Sequence, residues 1–151
     1  MTLQDKHAFI TGGGTGIGLA IAQDLAAKGA RVTITGRRQE VLDAVSGNGI
    51  TGMAMDVRDE AQVIDTIARA VEANGPVQIC VANAGVAEGR SLHKTDLDFW
   101  RDMMATNLDG AFLTIRESLK SMRQTDWGRV IAVSSMAGLR GLPGAACYSA
   151  S

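Results

Sequence analysis

Residues 11–18 read TGGGTGIG, a glycine-rich stretch that joins the apolar run HAFIT (7–11) to a helical pattern over 16–29. Glycines at such a junction permit a tight turn and let a ligand approach the backbone closely. The helix that follows offers free N–H groups and the positive end of a dipole, which suits a diphosphate. A flexible loop without a ligand is the alternative. The position between the first strand and the first helix favours nucleotide binding.

Short β-branched runs alternate with longer helical patterns along the rest of the chain. Strands are predicted over 7–11, 31–35, 50–57, 77–85 and 128–135. Helices are predicted over 16–29, 38–45, 59–75 and 95–122, with another starting near 145. Thr95 and Asp98 form a capping-box pattern at the start of the long helix. Strands that are apolar throughout are typical of a parallel sheet covered on both faces, so the pattern predicts an α/β, doubly wound fold.

Composition narrows the classes of function. The chain has the length of one domain, and its net charge of −1 gives no broad attraction for nucleic acid or anionic lipid. No apolar run approaches the roughly 20 residues of a membrane span. The N-terminus lacks the pattern of an export signal, so a cytoplasmic protein without membrane contact is expected. Cys80 and Cys147 form neither a disulfide framework nor a close-spaced metal motif, and no metal site is expected.

Several short motifs occur in order along the chain. The turn has the spacing T-G-x-x-x-G-x-G, which differs from the commonest dinucleotide fingerprint, G-x-G-x-x-G. The motifs that follow are Asn83-Ala84-Gly85 after the fourth strand, Asn107 within NLDG, and Ser135 thirteen residues before Tyr148. In these motifs the whole sequence closely resembles the short-chain dehydrogenase/reductase family in its compact, single-domain form.

The resemblance implies a Rossmann-type domain over residues 1–151 that binds a nicotinamide dinucleotide. The family positions expected to line the cofactor are Gly12, Gly14, Thr15, Gly16, Ile17, Gly18, Asn83, Ala84 and Gly85. Asp56 and Val57 match family residues beside the adenine, and Asp56 is expected to accept from its amino group. The alternative for Asp56 is that it caps the helix predicted over 59–75.

The residues TITGRR (33–38), at the end of the second strand, bear on which nicotinamide cofactor binds. In this fold an acidic residue at that point accepts hydrogen bonds from the ribose of NAD, whereas Gly36 occupies the position here. A guanidinium group suits the 2′-phosphate of NADP, so Arg37 predicts NADP(H) ahead of NAD(H). The alternative is that both Arg37 and Arg38 are solvated residues that open the next helix, and for Arg38 this alternative and a role as second ligand stay open. Many NADP-using relatives carry a further basic residue in the glycine turn, where this chain has Thr15.

The resemblance also implies reversible hydride transfer between the nicotinamide and a carbonyl or secondary alcohol. Tyr148 matches the general acid/base of the family, and Ser135 matches the residue that hydrogen-bonds the substrate oxygen. Asn107 would hold a water in the proton path, the alternative being a simple helix kink relieved by Gly110. Cys147 beside Tyr148 is expected to be a packing residue, and the two histidines are expected to be structural or at the surface.

Relatives assist their tyrosine with a lysine four residues later, and this sequence ends at Ser151, one residue earlier. We therefore expect a fragment that lacks the last strands of the family, that leaves the strand at 128–135 as an uncovered edge, and that is inactive by itself. The full-length protein is expected to be a homodimer or homotetramer acting on a small carbonyl or alcohol, with 3-oxoacyl thioesters among the candidates. A catalytically silent NADP-binding module is the alternative.

Overall fold

Residues 2–151 are described by a computed structural model of the chain. The strands of this range are β1 His7–Thr11, β2 Arg31–Gly36, β3 Ile50–Ala54, β4 Val77–Ala82 and β5 Arg129–Ala132. They form one parallel sheet in the order β3-β2-β1-β4-β5. The chain moves outward from β1 in one direction and returns through β4 to continue in the other. The carboxyl ends of β1 and β4 therefore border the crevice in which sheets of this type bind ligands.

Helices cover both faces of the sheet. They are α1 Gly16–Ala27, α2 Gln39–Asp43, α3 Glu60–Asn74, α4 Leu97–Met104, α5 Gly110–Met122 and α6 Ala146–Ala150. Ala8 and Ile10 of β1 pack in a core with α1 and α2, whereas Phe9 between them packs in a second core with α3 and α5. Successive side chains of a strand point to opposite faces, so a strand covered on both faces buries consecutive apolar residues such as these three. The predicted doubly wound α/β fold is confirmed.

Three of the predicted strands are shorter than the apolar runs that predicted them. β3 ends at Ala54, β4 ends at Ala82, and β5 covers only Arg129–Ala132. After β3 the chain stays buried, as Met55 does at 2% exposure, so the apolar run continues past the last ladder hydrogen bond. After β5 the apolar run is exposed instead, with Val133 at 38%.

The predicted helix over 95–122 is not one regular helix. Asp96 caps α4 by accepting from Phe99 N at 2.8 Å, whereas the Thr95 hydroxyl donates to the Ser91 carbonyl, so the predicted Thr95 capping box is wrong. A π-helical turn over Ala105–Asp109 separates α4 from α5. Such turns insert an extra residue per turn and redirect the side chains they carry.

β5 forms one edge of the sheet, paired with β4 alone. All four of its residues are exposed, including Val130 at 41% and Ile131 at 47%. An apolar, β-branched edge with free backbone groups is a template for further pairing.

No helix within residues 2–151 is long and apolar enough to cross a membrane.

His7 is buried at the amino end of β1 and ties two neighbouring elements together. Its Nδ1 lies 2.7 Å from the carbonyl oxygen of Gly75, which ends α3, and its Nε2 lies 2.9 Å from Thr33 Oγ1 on β2. Because a carbonyl only accepts, Nδ1 donates to Gly75, and Nε2 accepts from the threonine hydroxyl. Burial lowers the pKa of His7 and outweighs the hydrogen bond to Gly75, which acts in the opposite direction.

We expect the protein to lose stability as the pH falls below 6.5, the ordinary pKa of a histidine. In that range the unfolded chain takes up a proton at His7 that the folded protein does not, because the folded-state pKa is lowered. The free energy of unfolding then falls by up to about 1.4 kcal/mol per pH unit through this residue. Urea unfolding near neutral pH and at about pH 5.5 measures the effect.

The matched variants for this measurement are His7→Gln and His93→Gln. His93 lies at an exposed position, so its replacement should leave the pH dependence as in the wild type, whereas His7→Gln should flatten it. A His7→Gln profile parallel to that of the wild type would contradict the prediction.

Candidate active site

Two adjoining cavities open at the carboxyl ends of β1, β2 and β4. The larger has a volume of about 480 Å³ and the smaller about 250 Å³, and Ala84, Gly85 and Val86 line both. The glycine turn borders the larger cavity, and Ile17, at the start of α1, borders the smaller one with 65% of its surface exposed. The crevice at the switch point of the sheet is therefore one elongated cleft with two compartments.

The glycine turn brings the backbone of β1 against the first turn of α1. Gly12 has a φ of 65°, and a Cβ on Gly18 would fall on the Gly12 carbonyl oxygen and 2.6 Å from Asn83 Nδ2. Thr15 occupies the N-cap position of α1 without a side-chain cap, and the first turn has no acidic residue. The amides of that turn have no intrahelical acceptor, so the junction can receive an anion from the cleft.

Asn83 fastens the end of β4 to the glycine turn. Its Nδ2 donates to the Thr11 carbonyl at 2.9 Å and to the Gly12 carbonyl at 3.3 Å. The Thr11 hydroxyl accepts from the backbone N–H groups of Asn83 and Ala84, both at 3.0 Å. These four bonds hold the floor between the two compartments at a fixed distance from the turn.

The end of β2 supplies the basic side of the larger cavity. Gly36, Arg37 and Arg38 line it, and within residues 2–151 no carboxylate pairs with either guanidinium group. Thr35 also lines the cavity, and its buried Oγ1 has no hydrogen-bond partner in the described part of the chain. The two guanidinium groups, without a carboxylate partner within residues 2–151, form a surface suited to a phosphate group.

Asp56 lies across the same cavity and is held by Arg58. The guanidinium group donates from Nε and Nη2 to the two carboxylate oxygens at 2.7–3.1 Å. These hydrogen bonds hold the pKa of Asp56 below its usual value, with a further contribution from Arg37. Asp56 does not cap α3, because Asp59 accepts from Gln62 N at 3.1 Å in that role. The sequence motifs gave no role to Arg58. The signal that could have found it is its position two residues after Asp56, just beyond a strand.

Ser135 and Tyr148 meet at the smaller cavity, together with Asn107. Ser135 stands at the N-cap of the short 3-10 turn Met136–Gly138, and its Oγ accepts from Ala137 N at 3.1 Å. That bond occupies an acceptor position and leaves the hydroxyl proton free to donate. Tyr148 is carried by α6, so residues far apart in the sequence face one compartment.

Asn107 lies in the π-helical turn, and its amide is bound to the loop that follows β4. Oδ1 accepts from Val86 N at 2.8 Å, while Nδ2 donates to the Val86 carbonyl at 2.9 Å and to Ser151 Oγ at 2.8 Å. The helix is distorted here, in a turn that ends at Gly110, and Asn107 in addition has hydrogen-bond partners outside the helix. The side chain links the helix to the floor of the cleft and to the end of α6.

Arg90, which the motif search also missed, fixes the same loop from its other end. Its guanidinium group lies 3.8 Å from the centre of the Phe99 ring, and Nη1 lies 3.0 Å from Asp96 Oδ2. The backbone of Arg90 also forms a bridge with Ala145, just before α6. The loop, α4 and the helix that carries Tyr148 are thus held together.

The remaining chemically active residues lie outside the cleft or are buried. Cys80 is fully buried, which raises the pKa of its thiol, and Cys147 is 2% exposed. Within residues 2–151 no group of three His, Cys, Asp or Glu side chains is placed to hold a metal ion.

A doubly wound parallel sheet with a glycine turn at its switch point defines the class of Rossmann-type α/β proteins. Within that class, the chain belongs to the short chain dehydrogenase family, whose sequence profile matches residues 6–151.

Three known proteins illustrate the similarity. The chain is 37% identical to the NADP-dependent (R)-specific alcohol dehydrogenase of Lentilactobacillus kefiri, over 99% of this chain and 62% of that protein. It is 34% identical to the 3-oxoacyl-acyl-carrier-protein reductase MabA of Mycobacterium avium, over 96% of this chain and 55% of that protein. A crystal structure assigned to the short-chain alcohol dehydrogenases, from Sinorhizobium meliloti 1021, matches with a TM-score of 0.95 at 31% identity, over 99% of this chain and 62% of that one. The chain therefore spans between 55% and 62% of the length of these relatives.

Proposed function

We propose that the protein is an NADP(H)-dependent oxidoreductase that transfers hydride between nicotinamide and a carbonyl or secondary alcohol. The observation that carries the proposal is one cleft with free arginines at one end and the Ser135 and Tyr148 side chains at the other. Membership of the short chain dehydrogenase family supports it. The names of two relatives, an NADP-dependent alcohol dehydrogenase and a 3-oxoacyl reductase, support a small carbonyl substrate, with 3-oxoacyl thioesters as one candidate class.

The residues of the cleft fit a dinucleotide with a 2′-phosphate. The uncapped first turn of α1 is suited to the diphosphate, and the free guanidinium group of Arg37 is suited to the 2′-phosphate. Asp56 and Val57 would contact the adenine. The residues proposed to line the rest of the cofactor and to border the two cavities are Gly12, Gly14, Thr15, Ile17, Asn83, Ala84 and Gly85. Gly16 and Gly18, proposed with them, lie in the first turn of α1 and line neither cavity.

Bound at this site, the nicotinamide cofactor would supply or accept the hydride. The carbonyl oxygen gains negative charge during reduction and needs a hydrogen-bond donor and finally a proton. Ser135 would donate the hydrogen bond, since its acceptor side is already occupied by Ala137 N. Tyr148 would deliver the proton from its phenol. Asn107 would keep Val86 and the start of the loop in place beside them, and its remaining oxygen lone pair can take a water.

The test is a pair of measurements on the full-length protein. Fluorescence titration with NADPH measures binding, and loss of NADPH absorbance with a panel of ketones and 3-oxoacyl thioesters measures turnover. We expect tight binding and reduction of at least one carbonyl compound. Binding without turnover on any of them would instead favour a catalytically silent NADP-binding module, and an absence of binding would end the proposal.

Other features of the chain bear on its domain organisation, assembly and compartment. We infer that residues 1–151 act as one NADP(H)-binding unit and that the full-length protein forms a homodimer or homotetramer. Apolar side chains stand exposed along α4, the π-helical turn and α5, among them Leu97 at 64%, Leu108 at 51% and Phe112 at 58%. The proposed compartment is the cytoplasm, for which the two free thiols Cys80 and Cys147 give support.

A further inference from the structure

We propose that Arg58 is a positioning residue that makes the cleft selective for a 6-amino purine over a 6-oxo purine. The proposal rests on the proposed function, because it concerns the base of the dinucleotide assigned to the larger cavity. Arg58 and Asp56 both line that cavity, just beyond the end of β3. Arg58 acts on the base through the Asp56 carboxylate.

The hydrogen bonds between the two side chains leave one acceptor position free. Asp56 Oδ1 accepts from the backbone N–H of Arg58 and from its Nε, both at 3.0 Å. Oδ2 accepts from Nη2 at 2.7 Å and shares Nε at 3.1 Å. The two carboxylate oxygens together have four lone-pair positions and accept from three N–H groups, of which Nε is shared, so one position remains for a ligand. The side chain of Asp56 is 22% exposed, which leaves that position within reach of a ligand.

A single fixed acceptor reads the substituent at position 6 of a purine. The exocyclic amino group of adenine donates to it, whereas the oxo group of hypoxanthine would bring two acceptors together. The Asp56 carboxylate is ionised near neutral pH, and the Arg58 hydrogen bonds lower its pKa further, so it cannot donate to the oxo group. Without the guanidinium group, only the backbone N–H at position 58 would still bond Oδ1. Oδ2 would then be free to bind water, and the acceptor would no longer have one direction.

Arg58 has a second acidic neighbour. Its Nη1 lies 4.0 Å from Asp102 Oδ1 on α4, a distance at which the charges attract without a hydrogen bond. A guanidinium group that bonds one carboxylate bidentately would have to break that pair in order to bind a phosphate. Arg58 differs in this respect from Arg37, which has no carboxylate partner within residues 2–151.

The test compares binding of NADPH with binding of its hypoxanthine analogue, reduced nicotinamide hypoxanthine dinucleotide phosphate, to the full-length protein. The two ligands carry the same charge, so any general effect of losing a cation cancels in the ratio of their dissociation constants. One hydrogen bond to a charged group predicts a wild-type preference of about tenfold for NADPH. We expect Arg58→Met to reduce the preference to about twofold, because the acceptor loses its fixed direction.

Matched variants complete the experiment. Arg69→Met removes an arginine paired with Asp65 on the exposed face of α3 and should keep the wild-type preference. Arg58→Lys retains the charge but cannot bond both carboxylate oxygens from one plane, so it should give an intermediate preference and serves if Arg58→Met fails to fold.

The unfavourable outcomes separate a failure of the inference from a failure of the proposed function. Equal wild-type binding of the two ligands would overturn the inference and leave the proposed function standing. A preference unchanged in both Arg58 variants would do the same, since Asp56 would then read the base unaided. Failure of the wild type to bind NADPH would overturn the proposed function itself, and the inference with it.

Discussion

Replacing Tyr148 by phenylalanine is expected to lower kcat for carbonyl reduction by about 10²–10⁴-fold, the usual contribution of a positioned general acid. Tyr148 lines the smaller cavity together with Ser135, and the change removes only the phenolic oxygen. Ser151 Oγ donates to Tyr148 at 3.1 Å, and the acceptor is the backbone carbonyl of Tyr148, which the substitution does not change. The substitution should therefore leave α6 in place. Initial rates with NADPH and the best carbonyl substrate measure the effect.

The control for this variant is the affinity for NADPH, which should change by less than about twofold, since the phenol is assigned to proton transfer and not to binding. The thermal unfolding midpoint should also stay close to that of the wild type. A Tyr148→Phe protein that keeps kcat within about tenfold of the wild type would assign the proton to another group.

The sheet and the turn could be predicted from the sequence because local patterns determine them. The first strand is buried on both faces, which favours consecutive apolar residues at 8–10, and His7–Thr11 is indeed buried throughout. The turn needs glycine at Gly18 for steric reasons alone, because any Cβ there meets the Gly12 carbonyl. Such constraints are set by the backbone and do not depend on distant side chains.

The helix caps were harder to predict, because adjacent residues compete for the same role. Thr95 and Asp96 are both good N-cap residues, and nothing local separates them. Arg90 decides between them by pairing with Asp96 across the loop. Similarly, Asp59 caps α3, and Asp56 is left to pair with Arg58.

The π-helical turn had no signal of its own in the sequence. It is stabilised by the three hydrogen bonds of Asn107 to Val86 and Ser151, both far from it along the chain. The motif identified Asn107 as a candidate, but the hydrogen bonds that position its side chain are tertiary contacts. The role proposed for Arg58 could not be predicted for the same reason.

Replacing Arg37 by methionine is expected to raise the dissociation constant for NADPH by about 10–100-fold, the loss of a charge-assisted pair with the phosphate. NADH lacks the 2′-phosphate, so its dissociation constant should change by less than about twofold. Fluorescence titration of both cofactors gives the ratio directly. Arg38→Met is the comparison, because Arg38 lines the same cavity from the N-cap position of α2.

Gly36→Asp tests the same selectivity from the opposite direction. A Cβ on Gly36 would lie 3.7 Å from Leu42 Cδ2, an ordinary contact, so a side chain fits without moving the strand. The new carboxylate should repel the 2′-phosphate and accept from the ribose hydroxyls, and combined with Arg37→Met it should reverse the preference in favour of NADH. Gly36→Ala supplies the Cβ without the charge and should keep the preference for NADPH. If Arg38→Met removes that preference and Arg37→Met does not, the phosphate is held one residue further along the chain, and the assignment to Arg37 is wrong.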